Sequence, residues 1–251
     1  MTNRLLLLTM AALMIVLPAS RARAQTADEV VEKYLTATGG RAALGKVTSR
    51  TATGTISVTT PAGDLTGSIE LYNRAPNKVR TVVKIDASAL GVGQILQDQR
   101  FDGTAGYSID SLNGNRDITG DQAEIMRNST FPTPFLRYKE EGTRVELLGK
   151  EKAGDRDAYV LRFTPKAGPA SRQFVDAETS LLLKTVVTVN VPQLGTDIEQ
   201  TVDFSDYRDV DGVKVPYRMR SVNQLQALTI TFTKVDHNAP IDDRSFAKPT
   251  Q

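Results

Sequence analysis

At Thr51 the hydrophobic pattern of the chain changes period, and that change decides what it can fold into. Apolar residues stop recurring every three or four positions and begin to recur at every second one. Ile56 and Val58 alternate with Thr55, Ser57 and Thr59. After the turn sequence Pro61-Ala62-Gly63-Asp64, the run Leu65 to Tyr72 returns as the second arm of a hairpin. Val79, Thr81, Val83 and Ile85 alternate with Lys78, Arg80 and Lys84, and the same rhythm recurs at Val145 and Leu147, and at Tyr159, Leu161 and Phe163. It continues at Ile198, Val202 and Phe204, at Val213, Val215, Tyr217 and Met219, and at Leu228, Ile230 and Phe232. Neighbouring strand residues point to opposite faces, so this pattern predicts antiparallel strands with one apolar and one wet face. About ten such strands can be read, joined by short turns such as Asp211-Gly212.

Three stretches depart from that rhythm. Thr26-Ala27-Asp28-Glu29 fits a capping box, and Val30, Val31, Tyr34 and Leu35 follow on one helical face until Gly39-Gly40. Ala87 to Ile95 reads as a small apolar loop carrying Leu90 and Val92. Ile118 to Tyr138 reads as helix and loop, because Asp121 can cap Gln122 to Arg127 while Pro132 and Pro134 forbid a regular ladder. This last stretch carries Ile125, Met126, Phe131 and Phe135. Apolar residues with no strand to join are expected to lie across the sheet. With no internal repeat or linker, residues 25–251 read as one domain.

The first 24 residues read as an export signal: Arg4, then an apolar run from Leu5 to Leu17, then Pro18 and the cleavage sequence Ala22-Arg23-Ala24. That run is shorter than the roughly 20 residues a spanning helix needs. The expected mature chain begins at Gln25 and is periplasmic, exported and soluble. It has no cysteine, which excludes disulfides, a thiolate metal site, a cysteine nucleophile and a lipid-attachment cysteine. Removing Arg4, Arg21 and Arg23 turns the formal charge of +2 into −1, so no basic tract argues for nucleic acid.

Chemical motifs are few. Gly40 to Lys46 matches seven positions of a phosphate-binding loop, but Val47 stands where Ser or Thr is needed and a helix precedes it instead of a strand. Asp209-Val210-Asp211-Gly212 lacks the ligands of a calcium loop, because Tyr207 and Arg218 occupy the required acidic positions. His237, the single histidine, lies in a polar stretch and reads as a surface residue. The pairs Glu140-Glu141 and Asp242-Asp243 read as solvated turns. No catalytic set, metal site or cofactor site is expected.

Four stretches then resemble one family in order: the helix ending Thr38-Gly39-Gly40, the segment from Leu71 to Arg80, the run Phe101-Asp102-Gly103-Thr104-Ala105-Gly106-Tyr107, and Phe163 to Lys166 followed by Phe174 to Thr179. They resemble the periplasmic outer-membrane lipoprotein-sorting, or lipoprotein-carrier, superfamily (LolA/LppX-like). The resemblance implies a mainly β fold: an incomplete, half-open antiparallel β-barrel of about eleven strands, with an N-terminal helix and a helical or loop lid over a concave apolar face. It implies a soluble, monomeric, non-enzymatic carrier or chaperone for a lipid or lipoprotein acyl chain, exchanging cargo with membrane-bound donor and acceptor proteins. The alternative is a periplasmic regulatory or peptidase-associated module that recognises a polypeptide on the same sheet. The expected cavity residues are Ile69, Leu71, Val79, Val83, Ile85, Leu161, Phe163, Val202, Phe204, Met219, Ile230 and Phe232. Leu90, Val92, Ile125, Met126, Phe131 and Phe135 are the expected lid, and Arg74 the expected lid-control arginine, one residue out of step with the family's Arg-Pro pair.

Overall fold

The computed structural model describes residues 25–60, 63–191, 195–224 and 226–249. The export segment and the Pro61-Ala62 part of the first turn lie outside them.

Helix α1 (Ala27–Ala37) starts where the capping box places it: Glu29 N–H donates to Thr26 Oγ1 at 3.2 Å and Thr26 N–H to Glu29 Oε2 at 2.9 Å. Val30, Val31, Tyr34 and Leu35 are its buried face. A short helix α2 (Gly40–Lys46) follows, so the phosphate-loop look-alike is a helix. At the junction Gly39 has φ 123°, and a Cβ there would stand 2.3 Å from the Gly212 carbonyl oxygen. Only glycine lets the two helices approach that turn so closely.

The strands are β1 (Ser49–Thr60), β2 (Gly63–Arg74), β3 (Lys78–Asp86), β4 (Gln94–Phe101), β5 (Gly106–Asp110) and β6 (Arg116–Ile118), then helix α3 (Gly120–Asn128). They continue with β7 (Arg144–Ala153), β8 (Arg156–Thr164), β9 (Ser171–Asp176), β10 (Leu182–Val191), β11 (Thr196–Val210), β12 (Val213–Val222) and β13 (Ala227–His237). Among the described residues these thirteen strands form one open sheet in the order β6-β5-β4-β3-β2-β1-β13-β12-β11-β10-β9-β8-β7. The expected half-open, all-antiparallel architecture is present, with two more strands than the expected eleven. β6 is three residues long, too short to display a period.

The chain therefore starts at the middle of the sheet, winds out to one edge, crosses to the other edge, and winds back until β13 pairs with β1. Residues 119–143 are the crossover, and they span the concave side because the edges they join lie on opposite sides of it. The second edge, β7, is interrupted: Leu147 pairs with Leu161 and Gly149 with Val160, leaving Leu148 as an unpaired bulge.

The concave face holds the main core. Ile56, Ile69, Val83, Ile85, Leu161, Phe163 and Phe232 from the strands pack with Val31 and Leu35 of α1 and with Phe131 and Phe135 of the crossover. On the convex face the C-terminal segment lies over β3 and β4, burying Phe246 to 1% exposure. Beneath it Asp98 is 4% exposed and accepts paired hydrogen bonds from Arg80 (2.9 and 2.7 Å) and Arg100 (3.1 and 2.7 Å).

Candidate functional site: a covered cavity on the concave face

The crossover is held unequally along its length. Its second half is anchored to the helices. Phe135 stacks between Tyr34 and Phe163, with ring centroids 4.1 and 4.8 Å away. Tyr138 and Lys139 both donate to the Asp28 carboxylate at 2.5 Å, and Arg41 donates to the Leu136 carbonyl at 3.1 Å. These bonds, first from Lys139 and then from Tyr138, hold the Asp28 carboxyl below its usual range. Burial, and next the Asp28 carboxylate, push the Tyr138 phenol up to about 12. The first half, helix α3, buries no residue fully; Ile125 and Met126 are half-buried. It is fastened by a few polar contacts: Asn77 to the Arg127 carbonyl at 3.0 Å, Asn128 to the Ala167 carbonyl at 2.8 Å, and the Asn190 N–H to Asp121 at 3.1 Å. A segment with few buried apolar contacts opens at lower free-energy cost than one stacked in the core.

Between crossover and sheet lies a cavity of about 430 Å³. That is within the range of small-ligand sites, roughly 300–1,000 Å³. Ile125, Phe131 and Phe135 of the crossover cover it, and Phe163, Phe204 and Met219 form part of its floor. Tyr34, Thr38 and Leu44 enter from the helices, and Arg50, Asn73, Gln173, Thr185, Val187 and Tyr207, which are not among the expected cavity residues, enter from the strands.

The remaining expected residues fall elsewhere. Ile69, Val83, Ile85, Leu161 and Phe232 are buried in the packed core, with Leu71 and Ile230 partly buried against it. Val79 and Val202 are half-buried on the same face, and Met126 is half-buried on α3, outside the cavity wall. Leu90 and Val92 are 44% and 51% exposed on the β3–β4 connection and do not cover the cavity. That connection is a hairpin loop at the end of two strands, so its residues project beyond the sheet.

Arg74 is not beside the crossover. It pairs with Lys78 across β2 and β3, on the face opposite Ile69 and Leu71, and donates to the Ile241 carbonyl (3.1 Å) and Asp243 (2.6 Å) of the C-terminal segment. A one-residue displacement on a strand reverses the face, and here it sends the arginine to the convex side.

His237 also departs from expectation. Its side chain is only 1% exposed. The cause is a bulge: Thr53 pairs with Lys234 and Gly54 with Phe232, so Thr233 is an extra residue. Beyond it the parity of β13 reverses. Val235 and His237 turn inward, while Lys234 and Asp236 pair on the wet side at 2.8 Å. His237 thus sits across from Arg50, whose Nε donates to His237 Nε2 at 3.1 Å. Accepting at Nε2 leaves the neutral ring's proton on Nδ1, which is 3.6 Å from Asp211 and faces the Val210 backbone. Burial, then the Arg50 cation, lowers the imidazole pKa.

A pH dependence follows. The unfolded imidazole takes a proton near pH 6.5, whereas the folded one takes it only at lower pH. The unfolded state binds more protons in that window, so stability falls as pH drops below about 6.5. His237→Gln keeps an acceptor for Arg50 without titrating. Its melting temperature is expected to decline less than that of the wild type between pH 7.5 and 5.5, as differential scanning calorimetry would show. Equal declines would place the pH sensitivity elsewhere.

Among the described residues no three His, Asp or Glu side chains gather as a metal site would require. Glu141, at the cavity wall, accepts from the Thr130 hydroxyl at 2.8 Å.

No family model matches the sequence, and no curated protein matches it. Solved structures do match in fold. A DUF1329 family protein from Desulfovibrio piger superposes with a TM-score of 0.57 at 16% identity, covering 88% of this chain and 97% of that one. A LolA superfamily protein from Nitrosomonas europaea gives 0.56 at 16% identity, covering 90% and 99%. A domain from Vibrio parahaemolyticus described as an outer membrane lipoprotein-sorting protein gives 0.55 at 13% identity, covering 88% and 95%. The chain has the open-barrel fold of the LolA-like proteins.

Proposed function

We propose that this protein is an exported, non-enzymatic carrier that holds a lipid or lipoprotein acyl chain between its open sheet and the crossover. The observation that carries the reading is the cavity itself. It is walled by Ile125, Phe131, Phe135, Phe163, Phe204 and Met219 and closed on one side by a helix with no fully buried residue. The likeness in fold to a lipoprotein-sorting domain supports it. Each methylene moved from water into such a site contributes about 0.8 kcal/mol. Immobilising the chain and displacing the cover offset part of that gain, which suits a carrier that must also release.

The direct test is mass spectrometry of organic extracts of the protein purified from its native host. Acyl-bearing lipid in stoichiometric amount is the expected result; a co-purifying polypeptide and no lipid would favour a peptide-recognition module. A second test narrows the cavity. Met219→Trp adds bulk to a half-buried floor position, excluding the equivalent of two to three methylenes, roughly 2 kcal/mol or about 30-fold in affinity for a fluorescent fatty acid. Unchanged probe affinity in this variant would show that the chain lies elsewhere.

The export part of the proposal rests on the Ala22-Arg23-Ala24 sequence. Intact-mass measurement of the protein purified from whole cells of its host is expected to give a chain beginning at Gln25. A mature chain retaining Met1 would remove the periplasmic assignment.

A further inference from the structure

Arg50 is the one arginine placed on the apolar side of β1, in step with Ala52 and Ile56, and it lines the cavity. Its surroundings account for little of its hydrogen-bonding capacity. Of five guanidinium N–H groups, Nε–H is taken by His237 at 3.1 Å, and among the described residues the four on the terminal nitrogens meet no acceptor. Its Cζ lies over the Phe131 ring, 5.3 Å from the centroid. It faces the Tyr34 and Tyr217 side chains and the neutral His237 imidazole. Among the described residues it forms no ion pair, whereas the buried Asp98 on the convex face is matched by two arginines. Glu141, the carboxylate at the cavity wall, is engaged by Thr130. Burial lowers the Arg50 pKa to about 10, which still leaves it charged.

A half-buried cation without a counter-charge has lost part of its hydration uncompensated, and a packed apolar wall would be better served by a neutral residue. An anion arriving in the cavity removes that cost and finds a planar donor set suited to carboxylate or phosphate oxygens. We propose that Arg50 is the head-group site of the cavity, binding the acidic group of a single-chain amphiphile, a fatty-acid carboxylate or a lysolipid phosphate, whose tail lies against Phe163, Phe204 and Met219. His237 is a positioning residue: by accepting from Nε it fixes the guanidinium with its terminal N–H groups toward the cavity. Phe131 ties the same guanidinium to the crossover, so the head group and the cover share one contact. This inference deepens the acyl-carrier reading and rests on it.

The experiment compares palmitate with hexadecanol, equal in chain and different in charge, by isothermal titration against the delipidated full mature chain at pH 7.5, with acetate and inorganic phosphate as chainless controls. The wild type is expected to prefer palmitate over hexadecanol by at least tenfold. Arg50→Gln is expected to erase that preference by lowering palmitate affinity at least tenfold more than hexadecanol affinity, with the melting temperature unchanged or raised, since it removes an uncompensated cation. Arg50→Lys, which keeps the charge and loses the planar fork, is expected to retain part of the preference. Equal wild-type affinity for palmitate and hexadecanol would overturn the head-group assignment and leave the acyl-carrier reading standing. Binding of neither would remove the acyl-carrier reading itself. Phosphate or acetate binding as tightly as palmitate, with the same dependence on Arg50, would mean a free-anion site and overturn the lipid assignment.

Discussion

Phe135→Ala is expected to lower the stability of the protein by about 3–5 kcal/mol, because a large ring is removed from a site that cannot collapse around the loss. The ring is 1% exposed and lies between Tyr34 of α1 and Phe163 of β8, so one substitution breaks contacts to a helix, a strand and the crossover together. For a domain of this size the melting temperature should fall by on the order of 10 °C. Met126→Ala, in the same crossover but on half-buried α3, should change stability by less than about 1 kcal/mol. Thermal scans of both variants separate an anchored half of the cover from a loosely held one. Similar losses in the two would show that the whole crossover is structural, and the access route to the cavity would then have to be sought elsewhere.

Asp98→Ala should produce the second large loss, about 3 kcal/mol in urea unfolding, for an electrostatic reason instead of a packing one. The variant leaves Arg80 and Arg100 facing each other beneath the C-terminal segment without their shared carboxylate. Burial by itself would raise the Asp98 pKa, but hydrogen bonds from the two arginines outweigh it and hold the carboxyl below its usual range. A folded pKa below the unfolded one stabilises the protein above pH 4 or so, and that contribution fades as the pH falls toward the folded value. The gap between wild type and Asp98→Ala is therefore expected to narrow in acid. A constant gap from pH 7 to pH 3 would show that the loss comes from packing alone.

Much of the sheet could be read from the sequence because one-sided burial writes itself as alternation. β1, β3, β8, β12 and the first part of β13 each show it, and the Asp211-Gly212 turn has φ of 53° and 78°, as a tight hairpin of that type needs. The capping box fixed the start of α1 for the same kind of local reason. Positions that depend on register were harder. His237 was misplaced because a single extra residue, Thr233, reverses the face of everything after it, and no local signal in Thr231 to Lys234 announces a bulge. Arg50 was overlooked because a charged residue reads as the polar half of the alternation. The clue was present: counting back by twos from Ile56 through Gly54 and Ala52 lands on Arg50. Leu90 and Val92 misled in the opposite direction, since hydrophobicity alone does not say whether a loop folds over a sheet or extends past its end.

The bulge at Leu148 has a consequence for how this protein tolerates its own kind. A sheet that does not close presents two rows of unpaired backbone groups, which is how one molecule templates the next into a fibril. One rim here is the three-residue β6, too brief to recruit a strand. The other, β7, is ten residues long, yet its pairing is broken at Leu148, and Arg144, Glu146, Lys150 and Lys152 stud it with charge. Stacking a second copy in register would bury those charges and force the kink to be copied. The cavity can thus stay uncovered at its rims while the exposed backbone there offers a poor template for a second copy.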